Sequence, residues 1–291
     1  MILRNALDAL ASVLLPAPCR LCGQTLTSAS RIPICTPCLD SFERIAEPMC
    51  RCCGRPFVSA VAAQAIDPLC RLCRANFYAF DQARTFAIYG DALSFTITLL
   101  KYEEVTRLGD WFAARLAEVF SRVAGDWRPN VIIPVPLFPD RLRERGYNQS
   151  DLIARPLAKR LGLRLDSRIL MRTKPRPPQL LLSRNERWKS VRGAYATREG
   201  LRVDNLRVLL IDDVLTTGAT LDSCARTLKK AGAAAVFGLT VARIVPGWVS
   251  RGPVAAAPSQ AVSGNRMVAK SISSTVPTQH RKAQNGGRQC E

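Results

Sequence analysis

Between positions 81 and 245, short apolar runs alternate with segments whose apolar residues recur every three or four positions. That alternation predicts strands separated by helices, and therefore an α/β domain with a largely parallel sheet. Ala83 to Tyr89 reads as a strand, Ala92 to Tyr102 as a helix, and Leu108 to Val123 as a second, strongly patterned helix. Trp127 to Asn130 breaks the pattern. Val131 to Pro136 is a strand ending in prolines, followed by a basic loop over Asp140 to Gln149. Asn148 or Ser150 caps the next helix, which runs to about Leu161 and stops at Gly162. Leu165 to Arg172 includes a short strand, Thr173 to Gln179 is a proline-rich basic loop, and Leu180 to Tyr195 carries closely spaced basic residues. Val208 to Ile211, all apolar, reads as a buried parallel strand. Leu221 to Ala231 has helical spacing and closes at Gly232, and Val236 to Ala242 is the next strand.

Outside that region the pattern differs. Met1 to Leu15 is Ala/Leu-rich but interrupted by Asp8, which predicts an amphipathic helix over 1–15 rather than a cleaved leader. Residues 16–78 are rich in cysteine and poor in apolar periodicity. Residues 79–246 form the α/β region, and 247–291, rich in Ala, Ser, Pro, Gln, Arg and Lys, read as a disordered basic tail.

Composition narrows the function. The chain has 291 residues and a formal net charge of +19, which favours anionic partners such as nucleotides or nucleic acid. Its single histidine, His280, lies in the tail, so imidazole-based acid–base catalysis and Cys/His metal sites are not expected. No run of eighteen apolar residues occurs. With no export signal visible, a cytoplasmic location is expected.

Nine of the eleven cysteines lie between 19 and 73. Eight form four Cys-x-x-Cys pairs: Cys19/Cys22, Cys35/Cys38, Cys50/Cys53 and Cys70/Cys73. Each pair can present two thiolates to one tetrahedral ion, and two pairs complete a four-cysteine zinc site. Gaps of twelve residues (22 to 35) and sixteen (53 to 70) suit zinc ribbons. Disulfides would need an oxidising compartment. Spacing alone accommodates sequential or interleaved pairing, and Cys52 is a spare thiol. With little apolar content of its own, this segment is expected to depend on metal, at about 10 kcal/mol or more per site. The metal is expected to be structural. Arg20, Arg51, Arg55, Arg71 and Arg74 surround the knuckles.

Chemistry is concentrated at Asp212-Asp213 and Thr216-Thr217-Gly218-Ala219-Thr220. The carboxylates are expected where the Val208–Ile211 strand ends. The small residues after them let backbone N–H groups converge at a helix N-terminus, which makes a cup for a phosphate. Gly218 permits a positive φ and close ligand approach. Adjacent carboxylates suit the vicinal hydroxyls of a ribose, or a divalent cation bridging to it. Cup and carboxylates together describe a ribose 5-phosphate site at the carboxyl end of a sheet. No Gly-Lys-Ser/Thr follows, so this is not a Walker loop.

The stretch Val208 to Thr220 resembles the signature of type I phosphoribosyltransferases that binds phosphoribosyl pyrophosphate (PRPP). The resemblance implies a type I phosphoribosyltransferase-like parallel sheet flanked by helices, with Mg2+ bound alongside PRPP. Cations would be needed where the pyrophosphate leaves. Lys101, Arg141, Arg145 and Lys174 are candidates, with Arg141 and Arg145 favoured by their place beside Pro134-Val-Pro136. Residues 1 to about 245 further resemble the ComF family of double-zinc-ribbon proteins. The matching motifs, in order, are the Cys-x-x-Cys series, Leu100-Lys101-Tyr102, and Pro134-Val-Pro136 running into Arg141 to Gln149. They continue through Gln179, Leu182, Arg187, Val191 and Gly193-Ala-Tyr195 to the Asp-Asp signature. That resemblance implies a role with single-stranded DNA during uptake or nutritional use, with DNA-uptake proteins as possible partners. Two classes stay open: a DNA-handling protein with a PRPP-binding domain, and an active phosphoribosyltransferase whose acceptor is unidentified.

Overall fold

The computed structural model describes residues 17–26, 31–57, 68–175 and 184–248. The expected helix over 1–15, the tail from 249 onward, and residues 176–183, which end the proline-rich loop expected over 173–179 and begin the segment after it, lie outside the described residues. At the start of the expected tail, Trp248 packs against Ile45, Met49, Ile88 and Val245.

In chain order the Cys-rich segment carries two short helical turns, α1 (Thr36–Asp40) and α2 (Arg71–Arg74). Then come β1 (Gln82–Ile88), α3 (Asp91–Tyr102), α4 (Leu108–Ser121), α5 (Ala124–Trp127), β2 (Val131–Pro134), α6 (Pro139–Arg145) and α7 (Gln149–Leu161). The chain continues with β3 (Arg164–Leu165), β4 (Leu170–Arg172), α8 (Arg184–Val191), β5 (Tyr195–Thr197), β6 (Arg207–Leu215), α9 (Ala219–Lys230) and β7 (Ala235–Arg243). Five strands form a sheet in the order β1-β7-β6-β2-β3, every pair parallel, and β4 with β5 forms a separate antiparallel pair.

The sheet is covered on both faces, which explains the unbroken apolar runs of its central strands. Leu209 and Ile211 of β6 enter a core with Phe112 and Leu116 of α4 and Ile153 and Leu157 of α7. Val208 and Leu210, pointing the other way, join Leu221, Ala225 and Leu228 of α9. Asn148 caps α7 by accepting a hydrogen bond from the Ser150 N–H at 3.0 Å, and Gly162 ends it with φ +64°.

Two expectations are corrected. The strand expected to end at Ile211 runs on to Leu215, so Asp212 and Asp213 lie inside β6 rather than beyond it. Val214 and Leu215 continue the apolar run, and β7 pairs with Asp212, Val214 and Leu215. The expected basic loop over 140–149 contains helix α6. Pro139 supplies a helix-compatible first turn, Asp140 faces the positive end, Arg143 and Arg145 face the negative end, and Gly146 closes it at φ +77°. Arg141–Glu144 and Arg143–Asp140 ion pairs, each three residues apart, reinforce it. The short strand expected within 165–172 is β4, and β3, just before it, joins the other sheet.

The Cys-rich segment is an internal repeat. Cys19 N–H donates to Gln24 O, Gly23 N–H to Cys19 O and Arg20 N–H to Pro33 O. In the second half Cys50 donates to Arg55, Gly54 to Cys50 and Arg51 to Pro68 in the same way. Bridges Pro18–Thr25 and Met49–Pro56 close the two knuckles. The ribbons borrow a core instead of building one. Cys19 and Cys38 pack in the core beneath α4 and α7, and Cys50, Cys53 and Cys73 pack in the core beneath α9.

Candidate functional site

The eight knuckle thiols gather as two groups, Cys19/Cys22/Cys35/Cys38 and Cys50/Cys53/Cys70/Cys73, with all sulfurs of a group within 4.8 Å of one another. The pairing is therefore sequential. Cys22 Sγ to Cys35 Sγ is 3.6 Å, and Cys53 Sγ to Cys70 Sγ is 3.7 Å. These separations are far longer than a disulfide at about 2.05 Å. They match the ~3.8 Å edge of a tetrahedron with metal–sulfur bonds of about 2.3 Å. Backbone N–H groups of Cys35 and Cys70 point at Cys19 Sγ and Cys50 Sγ, each at 3.3 Å, which favours thiolate at those sulfurs. Both groups fit one structural zinc ion each, with all four positions filled by sulfur. Cys52 stands outside both.

The carboxylates and the small-residue turn are contiguous at the carboxyl end of β6. Asp212 and Asp213 are both buried. Ser150 Oγ, at the start of α7, donates to Asp212 Oδ1 at 3.3 Å, and the Asp213 N–H donates to the same oxygen at 2.9 Å. Val214 N–H donates to Asp213 Oδ1 at 2.9 Å, and Lys101 Nζ from the last turn of α3 ion-pairs with Asp213 Oδ2. Burial, then the charge of Asp213, pushes the Asp212 carboxyl up to about 7. Burial would raise Asp213 as well, but the Lys101 ammonium holds it below the usual carboxylate range. The pair is thus poised with one firm anion and one carboxyl that titrates near neutrality.

Beyond them, Gly218 turns the chain at φ +85° and α9 begins at Ala219. Thr216, Thr217 and Thr220 are half-buried around the turn, and Thr217 Oγ1 accepts from the Ala219 N–H at 3.4 Å. The first N–H groups of a helix lack intrahelical partners and carry its positive end, so this turn suits an anion.

The basic candidates divide. Lys101, Arg141 and Arg145 line one cavity of about 150 Å³ together with Tyr102, Glu104, Glu144 and Tyr147. Tyr147 Oη donates to Leu100 O at 2.6 Å, and the Arg145 guanidinium lies 4.8 Å from the centre of the Tyr102 ring. Lys174 lies elsewhere, near Gly193.

Four contributors escaped the sequence reading. Ser150 was expected only as a cap. Tyr78 Oη donates to Thr217 O at 3.0 Å, and Asp222 Oδ1 accepts from Ala79 N–H at 2.7 Å. Arg243, buried at the end of β7, donates to Cys53 O at 2.7 Å. The one available signal was chemical: an arginine closing the apolar strand 236–242.

Paired four-cysteine ribbons on a two-faced parallel sheet, with an Asp-Asp strand leading into a glycine turn, define a double-zinc-ribbon α/β protein. Comparison with known proteins agrees. The double zinc ribbon domain family matches residues 10–74. The DNA utilization protein YhgH of Escherichia coli O157:H7 is 32% identical over 224 residues, covering 76% of this chain and 94% of that protein. Competence protein ComFC of Bacillus subtilis is 29% identical over 221 residues, covering 72% and 84%. The chain belongs to the ComF family that these relatives share. Among solved structures, the purine phosphoribosyltransferase of Pyrococcus horikoshii Ot3 aligns with 47% of this chain and 80% of its own at 21% identity, with a TM-score of 0.31. Among the described residues no helix is long and apolar enough to cross a membrane.

Proposed function

We propose that this protein binds PRPP, or a closely related ribose 5-phosphate, with Mg2+, and uses that site in handling single-stranded DNA during its uptake or use. The observation that carries the ligand is the contiguity of two buried carboxylates with a positive-φ glycine turn at a helix N-terminus. Thr216 to Thr220 would hold the 5′-phosphate. Asp212 and Asp213 would hold the ribose hydroxyls or the cation. Lys101, Arg141 and Arg145 would face the pyrophosphate. The DNA role rests on the relatives named for DNA utilization and for competence and on the +19 charge. The zinc ions would be structural.

The cationic cavity beside Asp213 favours a second reading, an active phosphoribosyltransferase with an unidentified acceptor. Breaking the C1–O bond builds negative charge on the departing pyrophosphate, and preorganised cations there would stabilise it.

Calorimetric titration with PRPP and Mg2+ tests the site. Wild-type protein should bind saturably. Asp212→Asn with Asp213→Asn should lose binding by at least a hundredfold, with two zinc ions per chain retained. No wild-type binding, or full affinity in the double variant, would overturn the assignment. A single-stranded oligonucleotide titrated at two salt concentrations tests the DNA role, whose signature is affinity that falls as salt rises.

A further inference from the structure

The second four-cysteine centre and the phosphate turn are joined by one short piece of chain. Tyr78, five positions after Cys73, reaches the turn at two places. Its hydroxyl donates to the Thr217 carbonyl at 3.0 Å. Its ring edge lies 2.7 Å from where a Cβ on Gly218 would stand, so only glycine admits the ring there. The flanking residues are fastened to the first turn of α9. Ala79 N–H donates to Asp222 Oδ1 at 2.7 Å. Arg226 binds that carboxylate at 2.7 Å and Phe77 O at 3.2 Å. Tyr78 itself is stacked on Phe80, with ring centres 4.7 Å apart.

This contact has a geometric consequence. A trans peptide is planar, with its C=O and N–H pointing in opposite directions. A hydroxyl that fixes the Thr217 carbonyl therefore also fixes the Gly218 N–H, turning it to the side away from Tyr78. That is the side left for a phosphate, because the ring fills the other. Burial pushes the Tyr78 hydroxyl up to about 12, so it remains a donor across the physiological range.

The other end of the segment is anchored by the metal site. Cys73 packs in the same core as Leu215, Ala219 and Leu221, which flank the turn. Arg243 holds Cys53 O at 2.7 Å and lies opposite Leu215 in the sheet register. Loss of the ion would release Cys73 and, with it, the lever that ends in Tyr78. The first centre has a different neighbour. Its Arg20 pairs with Glu103 at 2.6 Å, just beyond α3.

We propose that Tyr78 is a positioning residue for phosphate recognition: it sets the Thr217–Gly218 peptide, and the second four-cysteine centre, not the first, holds it in place. The inference rests on the ribose-phosphate reading for its ligand, a pentose phosphate monoester, but its mechanical half stands apart from that reading.

The test uses the full chain with Tyr78→Phe, which keeps the ring and removes the hydroxyl. Affinity for PRPP with Mg2+ should weaken about tenfold, the scale of one hydrogen bond. Melting temperature should fall by no more than about 5 °C and zinc content should be unchanged, while amide exchange at 216–220 quickens. Unchanged affinity and exchange in Tyr78→Phe would overturn the role of the hydroxyl. Exchange at 216–220 should also quicken in Cys70→Ser/Cys73→Ser but not in Cys35→Ser/Cys38→Ser. Equal effects from both pairs would overturn the link to the second centre. Should the Cys70/Cys73 variant not fold, graded chelation of wild-type protein gives the same reading, as exchange plotted against each zinc released. If wild-type protein binds no PRPP, the ligand assignment falls, and the exchange measurements still decide whether Tyr78 and the second centre order the turn.

Discussion

The two ribbons repeat one hydrogen-bond plan but are fastened to the sheet differently. The first rests on helices and, just past its last cysteine, on the carboxyl end of β1, where Ile45 N–H donates to Phe86 O at 3.0 Å and Ile88 N–H to Glu43 O at 2.8 Å. Phe42 meets Trp111 of α4 edge-on at 5.7 Å, and Arg20 and Arg44 form solvent-facing pairs with Glu103 and Glu118. The second meets the amino end of β1 and is reached from β7 as well. Ala83 N–H of β1 donates to Cys52 O at 2.7 Å, and the buried Arg243 of β7 donates to Cys53 O. Both ribbons thus share backbone hydrogen bonds with β1, and the second is held in addition by a buried side chain of β7, opposite the Leu215 that leads into the glycine turn. A repeat in sequence does not imply a repeat in role, because the partner surface decides what each copy supports.

The sharpest way to break this comparison is to remove one arginine from each ribbon's attachment. Arg243→Met deletes a buried cation, leaves Cys53 O without its donor and removes positive charge beside a thiolate cluster. It should destabilise by about 3 kcal/mol, roughly 10 °C in melting temperature. Arg20→Met removes a pair in which each partner is 39% exposed, a class of interaction worth under about 1 kcal/mol. Thermal melts of both variants decide it. Similar losses would mean that the ribbons are attached with equal strength.

The knuckle glycines give a smaller and more local contrast. Gly23 and Gly54 share a left-handed backbone, at φ +75° and +67°. Either one changed to alanine should lose about 1 kcal/mol from that strain alone. Around Gly23 there is open space, whereas a Cβ on Gly54 would stand 2.6 Å from the Ala83 carbonyl oxygen, a backbone atom of β1. Gly54→Ala should therefore be about 2 kcal/mol worse than Gly23→Ala, as overpacking against a fixed neighbour usually is. Denaturant melts that rank them equally would show that β1 yields at Ala83.

How much of this was legible in the sequence follows from the range of each interaction. The glycine turn after β6 was readable because its requirements are local: small residues, a glycine and a following helical period lie side by side. The Cys-x-x-Cys pairs were readable for the same reason, although their pairing needed the fold. Helix α6 was misread as a loop despite its local signals, Pro139 and Gly146, because its run of charged residues shows no apolar face. The end of β6 was misread because Asp212 and Asp213 look like a strand stop, whereas Ser150 and Lys101 give them buried partners. Tyr78 went unmarked, and Arg243 was marked only as a charge closing an apolar strand. Their partners lie 139 and 190 positions away, and nothing near them in the chain announces either contact.

The smallest expected effect concerns protons, and it sharpens the comparison by separating the two sides of the site. Lys101 approaches from α3, next to the first ribbon's Glu103 contact, and Tyr78 approaches from the second ribbon. Of these two, Lys101 alone controls charge. Asp212, raised to about 7 by burial and by Asp213, is ionised only in part at neutral pH. A ligand carrying Mg2+ needs it ionised, so PRPP binding should release close to one proton at pH 6 and almost none at pH 8. Affinity should fall up to tenfold per pH unit below about 7. The free protein should respond in the opposite sense. A carboxyl whose folded value is raised contributes stability when protonated, and that contribution is lost as pH climbs from 3.8 toward about 7. Calorimetry in buffers of different ionisation enthalpy measures the proton count. Tyr78→Phe should weaken binding equally at every pH, whereas Lys101→Met should also change the pH dependence, because Asp213 would then lose the cation that holds it down. A pH profile altered by Tyr78→Phe, or left unaltered by Lys101→Met, would show that orientation and charge are not divided between the two sides in this way.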